Sequence, residues 1–116
     1  MMANEKASSL LGACVGKGQK LNELVTYAAD SIVSKTILDK PVGTITLFAF
    51  GKGQRLSEHT APYDAVVEII DGTGKITIGG KEMKLAAGEI VIMPANVPHS
   101  VAADEKFKML LIMIRQ

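Results

Sequence analysis

The stretch GQRLSEHTAPYDAVVEIIDG, residues 53–72, is the part of the sequence that decides the fold. It begins and ends with glycine and places His59 just before an apolar run. A second stretch, GEIVIMPANVPHSVAA at residues 88–103, places His99 directly after a proline-rich turn. The chain has 2 histidines in total, so these two stretches contain all of its imidazole groups.

Short extended runs separated by turn signals follow one another from residue 31 to residue 114. The breaks between them are rich in glycine, proline, aspartate and asparagine, which adopt the backbone angles that tight turns need. A spacing of about ten residues between short strands is typical of an all-β sandwich or barrel. The predicted strands are SIVSKTIL (31–38), GTITLFAF (43–50), YDAVVEII (63–70), KITIG (75–79), KEMKLA (81–86), EIVIM (89–93), HSVAA (99–103) and FKMLLIMI (107–114).

The first 30 residues are less regular than the rest of the 116-residue chain, which is long enough for one domain. In LNELVTYAA, apolar residues stand at positions 21, 24, 25 and 28, a spacing that favours a helix, although VTYAAD also suits a short strand. KASSLLGACVG suits a turn or two of helix. We therefore predict a short irregular or partly helical N-terminal segment over residues 1–30, packed on the β-domain or on a partner.

Composition and charge exclude several classes of protein. A net charge of +1 without a basic patch, and 4% aromatic residues, argue against nucleic-acid binding. The single cysteine, Cys14, excludes an internal disulfide and a CxxC zinc site. No apolar run approaches the length of a membrane span, and the N-terminus lacks the features of a signal peptide. We therefore expect a cytoplasmic protein that binds neither membranes nor nucleic acid.

Some predicted strands are apolar on both faces, notably EIVIM and FKMLLIMI. Such strands are buried on both sides, either between stacked sheets or against another subunit. The run from Met109 to Ile114 would form a sticky edge if it were left bare. This pattern predicts a homodimer.

The two stretches resemble the signature motifs of the cupin superfamily, GxxxxxHxHxxxExxxxxxG and GxxxxxPxGxxHxxxN. The positions that match are Gly53, His59, Gly72, Gly88, Pro94 and His99, and the resemblance extends over residues 43–114. It implies a small single-domain conserved-barrel protein. The fold would be a double-stranded β-helix, or jelly-roll, that forms a cupin barrel domain over residues 31–116.

The sequence departs from the family motifs at four positions. Ala61 and Ala65 replace the second histidine and the glutamate of the first motif, while Asn96 and Ala103 replace a glycine and the asparagine of the second. In the family, three histidines and that glutamate bind a metal. Strand parity places the nearby carboxylates of Asp64 and Glu68 on the opposite face from Ala65. The resemblance therefore implies a degenerate metal site.

Two classes of function follow from these residues. The first is binding of a small organic molecule in an interior cavity, with weak or no metal, through His59 and His99. The apolar and aromatic candidates for the wall of that cavity are Tyr63, Phe48, Phe50, Met93 and Met109. The alternative is a metal-dependent dioxygenase or isomerase in which both histidines bind a divalent transition metal, with Zn, Ni, Fe, Mn and Cu as candidates. A metal-free isomerase or lyase that uses a histidine for proton transfer is a third option. The sequence assigns no catalytic residue.

Overall fold

The computed structural model of the chain describes residues 5–115, and this part of the chain forms ten β-strands, one short helix and one 3₁₀ turn. The all-β jelly-roll prediction is confirmed. In chain order the elements are β1 (Glu5–Ser9), α1 (Leu11–Cys14), the 3₁₀ turn (Leu21–Glu23), β2 (Ile32–Lys40), β3 (Gly43–Phe50), β4 (Arg55–His59), β5 (Asp64–Asp71), β6 (Thr73–Ile78), β7 (Lys81–Ala86), β8 (Ile90–Met93), β9 (His99–Ala102) and β10 (Phe107–Ile114).

The strands form two sheets that pack face to face. The larger sheet has the order β1-β2-β3-β10-β5-β8, and the smaller has the order β4-β9-β6-β7. Neighbouring strands are antiparallel except β1 and β2, which are parallel. Because successive residues of a strand point to opposite faces, each strand contributes alternate side chains to the space between the sheets.

The main core fills that space with aromatic and branched side chains. The rings of Phe50 and Phe107 are stacked with their centroids 4.7 Å apart, and Phe48 lies beside Phe50 at 6.0 Å. In β5, alternate residues turn inward and are buried, as Val67 and Ile69 show. The core therefore depends on the period-two pattern that the sequence contains.

The N-terminal segment packs on the outer face of the larger sheet. Val25 is buried there against Leu47 and Ala49 of β3. The buried ammonium group of Lys108 donates hydrogen bonds to the main-chain oxygen of Asn22 at 2.7 Å and to its Oδ1 at 2.8 Å. These contacts hold the segment against the barrel, while the division at residue 30 into two parts stays a prediction.

Tyr27 fastens the segment at a second point. Its hydroxyl donates a hydrogen bond of 2.5 Å to Oδ2 of Asp71 at the end of β5. Burial, followed by the hydrogen bond to Asp71 and the charge of Asp71, raises the pKa of Tyr27 far above its ordinary value. The ammonium groups of Lys106 and Lys108 lie 4.7 and 5.0 Å from the centroid of the Tyr27 ring. Tyr27 therefore remains a neutral hydrogen-bond donor at physiological pH.

The strand predictions for residues 43–50, 81–86 and 107–114 match β3, β7 and β10 at both ends. The helix suggested by positions 21–28 is wrong, because only Leu21–Glu23 form a 3₁₀ turn and the following residues are irregular. The short helix suggested within KASSLLGACVG is present as α1, but a strand, β1, precedes it. No helix within residues 5–115 is long and apolar enough to cross a membrane.

Gly74 of β6 lies against the core aromatic rings and provides a test of the packing. A Cβ added at this position would lie 2.6 Å from Cε2 of Phe107. Because the ring is fixed in the stack with Phe50, we expect Gly74→Ala to lower the free energy of unfolding by about 1–3 kcal/mol, measured by urea denaturation.

Gly18→Ala is the matched control, since an added Cβ there meets nothing within 4 Å. We expect it to change the free energy of unfolding by less than about 0.5 kcal/mol. Equal stability of the two variants would show that the Phe107 ring is free to move away.

Candidate functional site

His59 and His99 face each other across two neighbouring strands of the smaller sheet. His59 ends β4, His99 begins β9, and the two residues are paired in the antiparallel register. His99 has the same parity in β9 as the buried Val101, so its side chain points between the sheets. The predicted approach of the two histidines is therefore present in the structure.

A β-bulge in β4 determines that His59 is the residue opposite His99. Leu56 pairs with Val101, and the next paired residue in β4 is His59, which pairs with His99. Three steps along β4 thus correspond to two steps along β9, which is the defining feature of a bulge. Regular pairing from Leu56 onward would place Glu58 opposite His99 instead.

The turn before His99 is fastened to the loop after His59. The main-chain N–H of Asn96 donates to the oxygen of Ala61 at 2.7 Å, and the N–H of Ala95 donates to Oδ1 of Asp64 at 2.8 Å. Asn96 has a φ of 66°, the left-handed conformation that asparagine tolerates better than most residues. Asn96 therefore takes the left-handed position of the turn, and this turn holds His99 in position.

The two imidazole rings are in direct contact. Their Nε2 atoms are 3.2 Å apart, and the ring centroids are 4.4 Å apart with an interplanar angle of 73°. Each Nδ1 lies close to a main-chain oxygen two residues earlier, that of Ser57 at 2.8 Å and that of Val97 at 3.2 Å. The same local contact therefore orients both rings.

These contacts determine where the protons lie. A carbonyl oxygen can only accept a hydrogen bond, so both Nδ1 atoms must carry a proton. In a neutral imidazole the other nitrogen is then an acceptor, and both Nε2 atoms direct a lone pair into the same space. Two lone pairs at this separation repel each other. The arrangement becomes favourable when one proton is shared, or when a hydrogen-bond donor or a cation binds both nitrogens.

The two histidines differ in burial. His59 is exposed, whereas His99 is 5% exposed. Burial lowers the pKa of His99, and a positive charge on His59 lowers it further, while the hydrogen bond to Val97 acts in the opposite direction. The neutral form of His99, with its free Nε2 lone pair, therefore predominates near pH 7.5.

The donor set does not fit a resident catalytic metal. Two imidazole nitrogens bound to one zinc ion at 2.0–2.1 Å stand about 3.3 Å apart at a tetrahedral angle, close to the separation found here. However, catalytic zinc usually has three protein ligands. Within residues 9–115, whose side chains the structure describes, no group of three or more His, Cys, Asp or Glu could hold a metal ion. The carboxylate of Asp64 is exposed and accepts a hydrogen bond from Ala95, as its predicted outward parity requires.

Four of the five remaining predicted site residues belong to the main core. Phe48, Phe50, Met93 and Met109 are buried members of the main core, and Tyr63 is half-buried just before β5. Met93 is the register partner of Ala65, whose other neighbour across the sheet is Met113. The position where the family has glutamate is thus flanked by two methionines on neighbouring strands. The assignment of these residues to a ligand cavity stays a prediction.

Sequence reasoning missed the groups that orient the rings. The acceptors are main-chain oxygens of Ser57 and Val97, and every residue type has such an oxygen. In both cases the oxygen belongs to the residue two positions before the histidine, but no sequence pattern marks such a contact. The bulge in β4 was also missed, because β4 itself was not predicted as a strand.

A family model for the cupin domain matches residues 46–115, which is more than half of the chain. Comparison with functionally curated proteins gives no match.

Among solved structures, the chain is similar to a conserved protein of unknown function, SPY1581, from Streptococcus pyogenes. The identity is 35% and the TM-score 0.82, with 86% of this chain and 88% of the other covered. It is also similar to a cupin 2 conserved barrel domain protein from Leptotrichia buccalis. There the identity is 45% and the TM-score 0.78, over 81% of this chain and 46% of the other.

A salicylate 1,2-dioxygenase from Pseudaminobacter salicylatoxidans has 16% identity and a TM-score of 0.68, with 80% of this chain and 29% of the other covered. At this identity the likeness shows a shared fold alone.

The lowered pKa of His99 predicts a specific pH dependence of stability. The unfolded chain binds a proton at this histidine more readily than the folded chain, so stability is lost as the pH falls below about 6.5. We expect His99→Gln to remove this component, measured by urea denaturation from about pH 8 to pH 5. His59→Gln should reduce it without abolishing it, because burial is the larger cause. An unchanged pH profile in His99→Gln would contradict this origin.

Proposed function

The chain belongs to the cupin domain family, and from that premise we propose that it binds a small organic molecule at the open end of its barrel. The ligand donates a hydrogen bond from a hydroxyl or amine group to the Nε2 atoms of His59 and His99. One observation carries the proposal. The Nε2 atoms of the two histidines, both of them acceptors, lie 3.2 Å apart, and the Nδ1 atoms of the same rings are held by main-chain carbonyl oxygens.

A hydrogen-bond donor suits this arrangement for an energetic reason. A buried acceptor without a partner costs about 1–3 kcal/mol, and a donor placed between the two nitrogens removes that cost. His99 is the buried member of the pair and His59 is exposed, so the polar end of a ligand reaches the pair from solvent.

A weakly bound metal is the second candidate, and the separation of the two nitrogens is the observation that favours it. Two imidazoles 3.2 Å apart match two ligand positions around one divalent transition metal ion. Water and substrate would have to fill every other position, as in a dioxygenase or isomerase that relies on its substrate to complete the metal shell. We rank this candidate below the metal-free site, because the two histidines would be the ion's only protein ligands in the part of the chain that the structure describes.

The proposed donor is tested by comparing phenol with anisole, which has a methyl group in place of the donating hydrogen. We expect phenol to shift the Nε2 resonances of both histidines in ¹⁵N NMR spectra. Anisole should bind about 5- to 150-fold more weakly, since loss of the donor leaves the acceptors unpaired at a cost of about 1–3 kcal/mol. Equal affinities would contradict the proposed role of the lone pairs.

Variants connect this binding to the two rings. His59→Gln and His99→Gln should each weaken phenol binding, whereas Glu58→Gln, a change at an exposed neighbour in β4, should not. Binding that is unchanged in both histidine variants would place the ligand elsewhere.

Metal analysis separates the two candidates. We expect protein purified without chelators to contain far less than one equivalent of zinc, nickel, iron, manganese or copper. The phenol-induced shifts should also survive dialysis against a chelator. One equivalent of metal that is lost in both His59→Gln and His99→Gln would instead establish the metal-dependent candidate.

A further inference from the structure

The outer face of the smaller sheet has a polar cleft on the side of β9 that faces away from the histidine pair. In β9, Ser100 and Ala102 alternate with the buried residues His99 and Val101, so their side chains point away from the core. A cleft of about 230 Å³ lies over Ser100 and Ala102 and is lined by residues of all four strands of this sheet. β9 therefore has the histidine pair on one face and this cleft on the other.

Ala102 leaves a gap between two cationic side chains. The register places Arg55 of β4 on one side of Ala102 and Lys75 of β6 on the other. Because neighbouring strands are about 4.8 Å apart, the main chains of Arg55 and Lys75 are separated by about 10 Å. The methyl group of Ala102 fills little of the space between them. A small anion above Ala102 therefore has a positive charge on each side.

The hydroxyl groups of Ser100 and Thr77 stand beside this gap. The two residues are paired in the register, two positions along the strands from the pair formed by Lys75 and Ala102. Both are half-buried, and both line the cleft. A hydroxyl group donates one hydrogen bond, so the cleft has neutral donors next to its cations.

Arg55 provides the unpaired charge of the cleft. Within residues 9–115, Arg55 belongs to none of the ion pairs within 4 Å, whereas the chain's other arginine, Arg115, is paired at 3.6 Å. The ammonium group of Lys75 lies 3.2 Å from the carboxylate of Asp104. An ammonium group has three donors, so this ion pair holds Lys75 at the edge of the cleft and leaves donors for a ligand.

Two carboxylates restrict what the cleft can bind. Glu82 and Asp104 line it together with Arg55 and Lys75, so the positive charges are not part of a continuous basic surface. A long polyanion such as nucleic acid would meet these carboxylates and be repelled. Hydroxyl groups of a small ligand can instead donate hydrogen bonds to them. The volume is also below the roughly 300–1,000 Å³ of sites for drug-sized molecules. The cleft therefore suits a small anion that has hydroxyl groups.

We propose that the cleft binds a small phosphate monoester whose organic part carries hydroxyl groups. The planar guanidinium of Arg55 donates two parallel hydrogen bonds to the phosphate, a geometry that matches this group. The ammonium group of Lys75 and the hydroxyl group of Ser100 donate to the remaining oxygens. The hydroxyl groups of the ligand donate to Glu82 and Asp104, and inorganic phosphate lacks these contacts.

Titration of the full chain with glycerol 3-phosphate at low ionic strength tests the proposal. We expect saturable shifts of the main-chain amide resonances of Arg55, Ser100 and Ala102 in ¹H–¹⁵N NMR spectra. Inorganic phosphate should shift the same resonances but bind several-fold more weakly, and glycerol should shift none of them. Acetate should bind at least about tenfold more weakly, since it has one charge and two oxygens. No saturable shift with glycerol 3-phosphate, or equally tight binding of acetate or inorganic phosphate, would overturn the proposal.

The two arginines provide a matched pair of variants. Arg55→Gln should weaken the binding of glycerol 3-phosphate at least about tenfold, because it removes charged hydrogen bonds. Arg55→Lys should recover only part of this loss, since lysine keeps the charge but lacks the planar guanidinium. Arg115→Gln removes the same charge just after β10 and should leave the affinity unchanged. Equal weakening by Arg55→Gln and Arg115→Gln would indicate attraction by net charge alone and would overturn the site.

A variant that fills the gap tests where the phosphate lies. Ala102→Leu adds volume between Arg55 and Lys75 without changing any charge, and we expect it to abolish binding. His59→Gln should leave the affinity for glycerol 3-phosphate unchanged, so this proposal and the proposed function can fail independently. Binding that persists in Ala102→Leu, or that is lost in His59→Gln, would contradict the assignment of the phosphate to this cleft.

Discussion

The pairing of β4 with β9 is the constraint on which the site depends. It joins an edge strand of the smaller sheet to a strand whose inward side is part of the core, and so places one exposed and one buried histidine in contact. Val101 packs in the core, and this fixes the position of His99, which lies two residues earlier in the same strand. The turn before His99 and the loop after His59 are joined by main-chain hydrogen bonds. The distance between the imidazoles is thus set by backbone pairing and core packing together.

The proton positions in the pair follow from this backbone geometry. Both rings donate Nδ1–H to an oxygen two residues earlier, so the free lone pairs point toward each other. In metal sites, a similar second contact orients a histidine ligand before the ion arrives. This chain retains that orientation but has alanine at positions 61 and 65, where the family has further ligands. This leaves a pair of acceptors that suits the hydrogen-bond donor proposed above.

Much of the fold could be predicted from the sequence because its strands are bounded by strong turn residues. β3, β7 and β10 have glycine, proline or aspartate close to their ends, and their predicted limits agree with the structure. β4 was missed because RLSEH contains one apolar residue, as an edge strand with little burial allows. The spacing of apolar residues at positions 21–28 suggested a helix. These residues instead pack on the outer face of the larger sheet from an irregular backbone. For the site, the motifs identified both histidines, but their protonation depends on main-chain oxygens that no sequence pattern reveals.

The bulge before His59 has a consequence for how sites of this kind diverge. With Leu56 held opposite Val101, the group that meets His99 depends on whether the extra residue lies within β4 or in the loop that follows. Moving that residue into the loop would exchange the imidazole of His59 for the carboxylate of Glu58 while every amino acid stayed the same. The electrostatic character of the barrel opening is therefore encoded partly in loop length. An insertion or deletion there can change which side chain stands opposite His99 without any substitution.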